Sequence, residues 1–146
     1  MHYAIKAAID DPAAPTFRFR DQKTMYGGKG VVTGDIIYLF ESENAGGAGL
    51  FAKGVVTSAS ATPPTPGIAR QTPRVSISVR RAALATRRLG RSELRRYADW
   101  QDGRPETELN FKLYRQATDK IVGISPAAAE LIDGCCGAEA GAAAAR

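Results

Sequence analysis

Alternation of apolar and polar positions dominates the first two-thirds of the chain. Tyr3, Ile5, Ala7 and Ile9 alternate with His2, Lys6 and Ala8, the pattern of a strand with one buried face. Asp10, Asp11, Pro12 and Pro15 break it. Phe17-Arg18-Phe19-Arg20 then puts phenylalanines on one side of an extended chain and arginines on the other. Residues 25–30 are turn-rich, and Gly34-Asp35 is a turn dipeptide ahead of an apolar run at 36–40. That run has the β-branched and aromatic bias of a buried strand. A glycine-rich loop over 41–49 leads to a returning strand over 50–57, so the two predict an antiparallel hairpin with a long connection. Four prolines, Pro63, Pro64, Pro66 and Pro73, mark an exposed loop. Beyond it, Val75, Ile77 and Val79 alternate cleanly with Ser76, Ser78 and Arg80.

The last third is more mixed. Ser92 is placed to cap a short helix carrying Leu94, Tyr97 and Ala98. Asp102-Gly103-Arg104-Pro105 reads as a turn. Leu109, Phe111 and Leu113 alternate with Asn110, Lys112 and Tyr114, which predicts another strand, and 121–124 predicts a further short one. Ser125-Pro126 opens a helix that runs to about Ile132, with serine as cap and proline in the first turn. Residues 134–146 are rich in glycine and alanine and are expected to be a disordered tail. Many short strands with few helices between them fit a mainly β domain with peripheral helices, an α+β barrel or sandwich, over residues 1–133.

Composition narrows the function. A chain of 146 residues fits one domain. No apolar run approaches the roughly 20 residues that span a bilayer, and the N-terminus lacks the features of a signal peptide. A cytoplasmic protein with no membrane partner is the expectation. The net charge of +5 is concentrated between positions 80 and 96, where Arg80, Arg81, Arg87, Arg88, Arg91, Arg95 and Arg96 are opposed by Glu93 alone. Such a stretch attracts phosphates by counterion release, or it is a solvated surface. Cys135 and Cys136 are adjacent, and the single histidine is His2, far away in sequence. That spacing argues against a metal site and against a disulfide between the two cysteines.

No catalytic constellation assembles from these residues. There is no nucleophile elbow, and the glycines of Tyr26-Gly27-Gly28-Lys29-Gly30 lack phosphate-loop spacing. No cofactor is expected. Carboxylates at Asp35, Glu41, Glu43, Asp99, Asp102, Glu106 and Glu108 leave open a small enzyme acting on nucleotides or nucleic acid. Turn formation accounts for Asp35 and Asp102 without it. Aromatic rings beside polar loops are more telling, because flat rings stack on bases. Tyr26, Trp100 and Tyr114 are candidate pocket residues, and Phe40 and Phe111 are expected in the core. Ser42 and Asn44, just past the apolar strand at 36–40, and Gln116 and Thr118, just past Tyr114, are placed to read a base edge or to cap loops.

The stretch Gly34-Asp35-Ile36-Ile37-Tyr38-Leu39-Phe40-Glu41-Ser42, followed after a gap by Gly49-Leu50-Phe51-Ala52-Lys53-Gly54-Val55-Val56, resembles the central hairpin of EVE-type domains of the PUA-like superfamily. The closing strand and helix over 121–132 are similar to the end of such domains. The opening differs, since the tryptophan and the Lys-Ser-Glu-Pro-like segment of EVE domains are absent, and residues 80–100 do not align. The resemblance implies a small mixed β-barrel with peripheral helices and a pocket for a modified base, with Ser42 as the pocket position that matches. The resulting expectation is a binding module for DNA or RNA that recognises a nucleobase, modified or not. A small nucleic-acid enzyme and a protein-interaction subunit are the alternatives.

Overall fold

Six strands close on themselves in the order β1-β3-β4-β5-β2-β6. The computed structural model describes residues 1–117 and 119–137. In chain order the strands are β1 (His2–Ala7), β2 (Thr16–Met25), β3 (Ile36–Glu41), β4 (Gly49–Ala61), β5 (Arg74–Leu84) and β6 (Ile121–Ile124). β1 runs parallel to β3 and antiparallel to β6, while β3, β4, β5 and β2 pair antiparallel in turn. β2 closes the ring by running parallel to β6. The expected mixed barrel with peripheral helices is the fold observed. The hairpin of β3 and β4 is also present, with Ile36 opposite Val55 and Leu39 opposite Ala52.

The barrel explains why β1 and β3 read as they do. Tyr3, Ile5, Ile37 and Leu39 fill its interior with Phe17, Phe19, Ile77 and Val79. Ala4, Tyr38, Phe40 and Val122 point outward, under a layer of helices that supplies Leu94, Leu109, Leu113 and Ile132. β1 and β3 are therefore buried on both faces, and β1 is not the one-sided strand its alternation suggests. β2 and β5 do keep that alternation, because their outer faces meet solvent.

The helices are α1 (Arg91–Leu94), α2 (Pro105–Asn110) and α3 (Pro126–Asp133), and α2 runs on into a π-helical turn, Phe111–Gln116. The strand expected around 109–114 is thus helical. Leu109, Leu113 and Ala117 recur at a spacing of four and face the core, so the apparent alternation is one stripe of a helix. Pro105 at its first turn, followed by Glu106 and Glu108, carries the helix-start chemistry. In α1, Ser92 lies inside the helix rather than at its cap. Gly90 holds the cap position, where its N–H donates to Glu93, and the N–H of Arg91 donates to Glu43 from the loop after β3. Ser125 does cap α3, its hydroxyl accepting from the Ala128 N–H.

The first residues of the expected tail are ordered. The carbonyl of Cys135 accepts from the N–H groups of Thr86 and Arg87, and Cys136 forms an isolated β-bridge with Ala85. Residues 138–146 lie outside the described residues. Among the described residues, no helix is long and apolar enough to cross a membrane.

Candidate nucleic-acid interface

Two close backbone approaches fix one end of the barrel. Any side chain at Gly123 would strike the carbonyl of Tyr26, and any at Gly28 would strike the carbonyl of Ile121. These glycines let the end of β2 and the turn after it lie against β6, where the Gly123 N–H donates to the Tyr26 carbonyl. Tyr26 itself has φ 53°, a left-handed backbone that turns its ring outward at 43% exposure.

Facing Tyr26 across a cleft of about 400 Å³ are the turn at 100–104, α2 and the π-helical turn. Trp100, Arg104, Glu108, Phe111, Lys112 and Gln116 line it with Tyr26. Trp100 is 71% exposed, an unusual cost for the largest apolar side chain. The Tyr26 hydroxyl is hydrogen-bonded to the Gln116 amide oxygen, and the Lys112 ammonium stands 4.7 Å from the Tyr26 ring centre. Lys112 also donates to Glu108 at 3.0 Å and to the Gly123 carbonyl at 2.8 Å. Arg115 covers the Phe111 ring at 5.0 Å. Burial opposes ionisation of Glu108, but bonds from the Ser125 hydroxyl and N–H and from Lys112 outweigh it and hold its carboxyl below the usual range. The cleft floor is therefore a fixed polar network, with a free indole at the rim and two cations, Arg104 and Lys112, among the lining residues.

Of the six expected pocket residues, this cleft gathers Tyr26, Trp100 and Gln116. Tyr114 lies apart from them. Its hydroxyl donates to Glu43 at 3.0 Å, and the Lys6 ammonium sits 4.4 Å over its ring. Burial, reinforced by the Glu43 charge, pushes the Tyr114 phenol far above its ordinary value. Lys6 is 1% exposed, and burial lowers its pKa despite the Glu43 carboxylate nearby. Asn44 is exposed and accepts from the Arg91 guanidinium at 3.0 Å, while Ser42 is buried at the start of the same loop. This second cluster joins the β3–β4 loop, α1 and the π-helical turn. Thr118 lies outside the described residues.

The arginines at 80–96 do not form one patch. Arg80 is on the exposed face of β5, whereas the Arg81 guanidinium donates to the carbonyls of Ala13 and Ala14. Arg87 and Arg88 flank a groove formed with Phe51 and Leu84. Arg91 is held at Asn44, and Arg95 and Arg96 follow α1, with Arg96 4.9 Å over the Tyr97 ring. None of the seven lines the Trp100 cleft. The cleft also draws in Arg104, expected only as part of a turn, Glu108, expected only as a candidate carboxylate, and Phe111 and Lys112, both placed on an expected strand. Phe111, expected in the core, is a half-buried wall of the cleft.

Three carboxylates of the enzyme alternative make structural bonds. Asp35 accepts from the Val32 N–H, Glu43 caps α1, and Asp102 accepts from the Arg104 N–H and the Thr107 hydroxyl. Among the described residues, no three metal-ligating side chains cluster.

No family model matches the chain. No curated protein matches it by sequence. Solved structures do match its fold. The DUF55 domain of human thymocyte nuclear protein 1 superposes with a TM-score of 0.62 at 16% identity, over 90% of this chain and 96% of that one. A structure of human THYN1 in complex with DNA containing 5-methylcytosine gives a TM-score of 0.62 at 13% identity, over 90% and 94%. A Pseudomonas putida protein gives 0.61 at 14% identity, over 92% and 99%. With the closed six-stranded barrel, these likenesses show that the chain shares the fold of the DUF55 domain, the small mixed barrel that the EVE-type resemblance implied.

Proposed function

We propose that this protein binds nucleic acid and receives one unstacked base in the Trp100 cleft. The observation that carries the reading is Trp100 itself, held exposed at the rim of a cleft whose lining includes Tyr26, Arg104 and Lys112. An indole offers a stacking face to any base, worth about 1–3 kcal/mol. Gln116 and Arg104 supply groups that can meet the base edge, and the Arg104 guanidinium favours the adjoining phosphate. The net charge of +5 adds a general attraction to polyanions.

The fold of the human protein solved with 5-methylcytosine DNA supports a modified pyrimidine as the first base to test. Fluorescence anisotropy with labelled oligonucleotides, identical except for cytosine or 5-methylcytosine, is the direct experiment. Trp100→Ala is expected to weaken binding about 5- to 150-fold, the equivalent of one lost stacked base. Equal affinity of the wild type and Trp100→Ala proteins for every oligonucleotide would remove the cleft from the account.

A further inference from the structure

A second surface, on the barrel wall away from the helices, is built for a chain of phosphates. The register of β4, β5 and β2 sets outward-facing residues in rows. Ser58, Ser78 and Arg18 form one row, Arg80 pairs with Thr16 in the next, and Ser60 with Ser76 in the row on the other side. Arg18, Arg20 and Arg80 are all exposed. Four serines on two neighbouring strands are unusual for positions where β-branched side chains pack better. Their small size leaves a trough of about 270 Å³, bordered by Arg18 and Arg20.

The trough carries two guanidinium groups against one carboxylate. Among the described residues, no carboxylate pairs with Arg18, Arg20 or Arg80, and no hydrogen bond engages the hydroxyls of Ser58, Ser60 or Ser78. Asp21 is the one carboxylate that lines it. It sits at a bulge in β2, with φ 49°, and is already engaged: its Oδ1 accepts from the Thr62 hydroxyl and its N–H donates to Ser76. Guanidinium groups and hydroxyl donors aligned along a strand suit successive phosphates, since side chains two residues apart on one face lie about 7 Å from each other. Five residues of β2 separate Arg20 from Tyr26, a span of at most about 22 Å, so one strand can reach both surfaces.

We infer that the trough bordered by Arg18 and Arg20, with Arg80 exposed in the adjoining row, binds the phosphodiester backbone of the nucleic acid whose base enters the Trp100 cleft. The choice of nucleic acid over other polyanions rests on the function proposed above. The trough itself rests on charge and hydroxyl complementarity alone.

The test is the salt dependence of binding to a single-stranded oligonucleotide of about 20 nucleotides, with log Kd plotted against log salt concentration. Each lost phosphate contact on a single strand reduces the slope by about 0.7. Arg18→Gln with Arg20→Gln is expected to reduce it by about 1.4 and to leave Trp100 quenching by a short oligonucleotide unchanged. Arg95→Gln with Arg96→Gln removes the same charge elsewhere and is expected to change the slope less. An unchanged slope in the first variant, or an equal change in both, overturns the trough. Competition by polyglutamate as strong as that by the oligonucleotide overturns its assignment to nucleic acid. An intact effect of the trough variants alongside a neutral Trp100→Ala would sink the cleft and keep the trough. Circular dichroism confirms that each variant folds.

Discussion

The Lys112 ammonium lies 4.7 Å from the centre of the Tyr26 ring, and this contact ties the π-helical turn to the end of β2 across the candidate base site. Lys112 simultaneously bonds Glu108 and the Gly123 carbonyl. One side chain thus holds a helix, a strand and a ring in a fixed relation. A rigid scaffold of this kind lets the exposed indole of Trp100 work without ordering the rest of the cleft on binding.

Glu108 is the anchor of that scaffold, and its ionisation should be visible in acid. Its carboxyl is held below the ordinary value of 4.5. A depressed carboxyl contributes stability above its unfolded pKa, and that contribution disappears as pH falls through the folded value. Glu108→Gln is expected to cost about 1–3 kcal/mol at pH 7, for weakened bonds to Ser125 and Lys112. The difference from the wild type should shrink as the pH drops below about 4. Urea denaturation at a series of pH values measures it, and a pH-independent difference would contradict the role given to the charge.

Tyr114 should prove structural rather than ligand-binding. Removing its hydroxyl in Tyr114→Phe breaks the bond to Glu43. A hydrogen bond to a charged group contributes about 1.5–3 kcal/mol. Chemical denaturation should show that loss, while oligonucleotide affinity stays within a factor of about two. A large affinity loss with unchanged stability would move the binding site to the cluster of Lys6, Glu43 and Asn44.

Gly123→Ala tests the packing that sets Tyr26 in place. The added methyl group meets the Tyr26 carbonyl, which belongs to the backbone and cannot step aside alone. Overpacking of this kind costs about 1–3 kcal/mol. The variant should lose stability and also weaken base binding, because Tyr26 shifts with its backbone. Full stability in thermal melts would show that the approach is looser than described.

The two cysteines should be slow to react. Burial, with Asp133 and Cys135 nearby, raises the Cys136 thiol to about 11, and burial also raises Cys135. Thiolate is the reactive form, so little is present at pH 7.5. Alkylation of native protein should be far slower than of protein in denaturant. Equal rates would mean that residues 134–137 leave the barrel readily.

Much of the barrel was legible because its exposed strands obey simple alternation. Phe17, Phe19, Val75, Ile77 and Val79 mark the inner faces of β2 and β5 directly. The run at 36–40 and its return identified the hairpin at the centre of the fold. The helical side was harder. Leu109, Phe111 and Leu113 are consistent with period two, and only Pro105 with the acidic residues behind it signals a helix start. That one misreading concealed the cleft-facing roles of Phe111 and Lys112, and left Arg104 and Glu108 as a turn residue and an isolated carboxylate. The division of the arginines was also invisible, since residues 80–96 cross from a strand through a loop to a helix and point in different directions. Lys6 shows a further limit: a charged residue in an alternating strand reads as solvent-facing until helices are known to cover that face.

Trp100 is the sole tryptophan of the chain, so tryptophan emission excited selectively, away from tyrosine absorption, reports on the cleft. Titration with a single-stranded oligonucleotide is expected to quench that emission saturably, with a midpoint matching the Kd measured independently by anisotropy. Tight binding by anisotropy with no change in Trp100 emission would contradict the claim that a base stacks there.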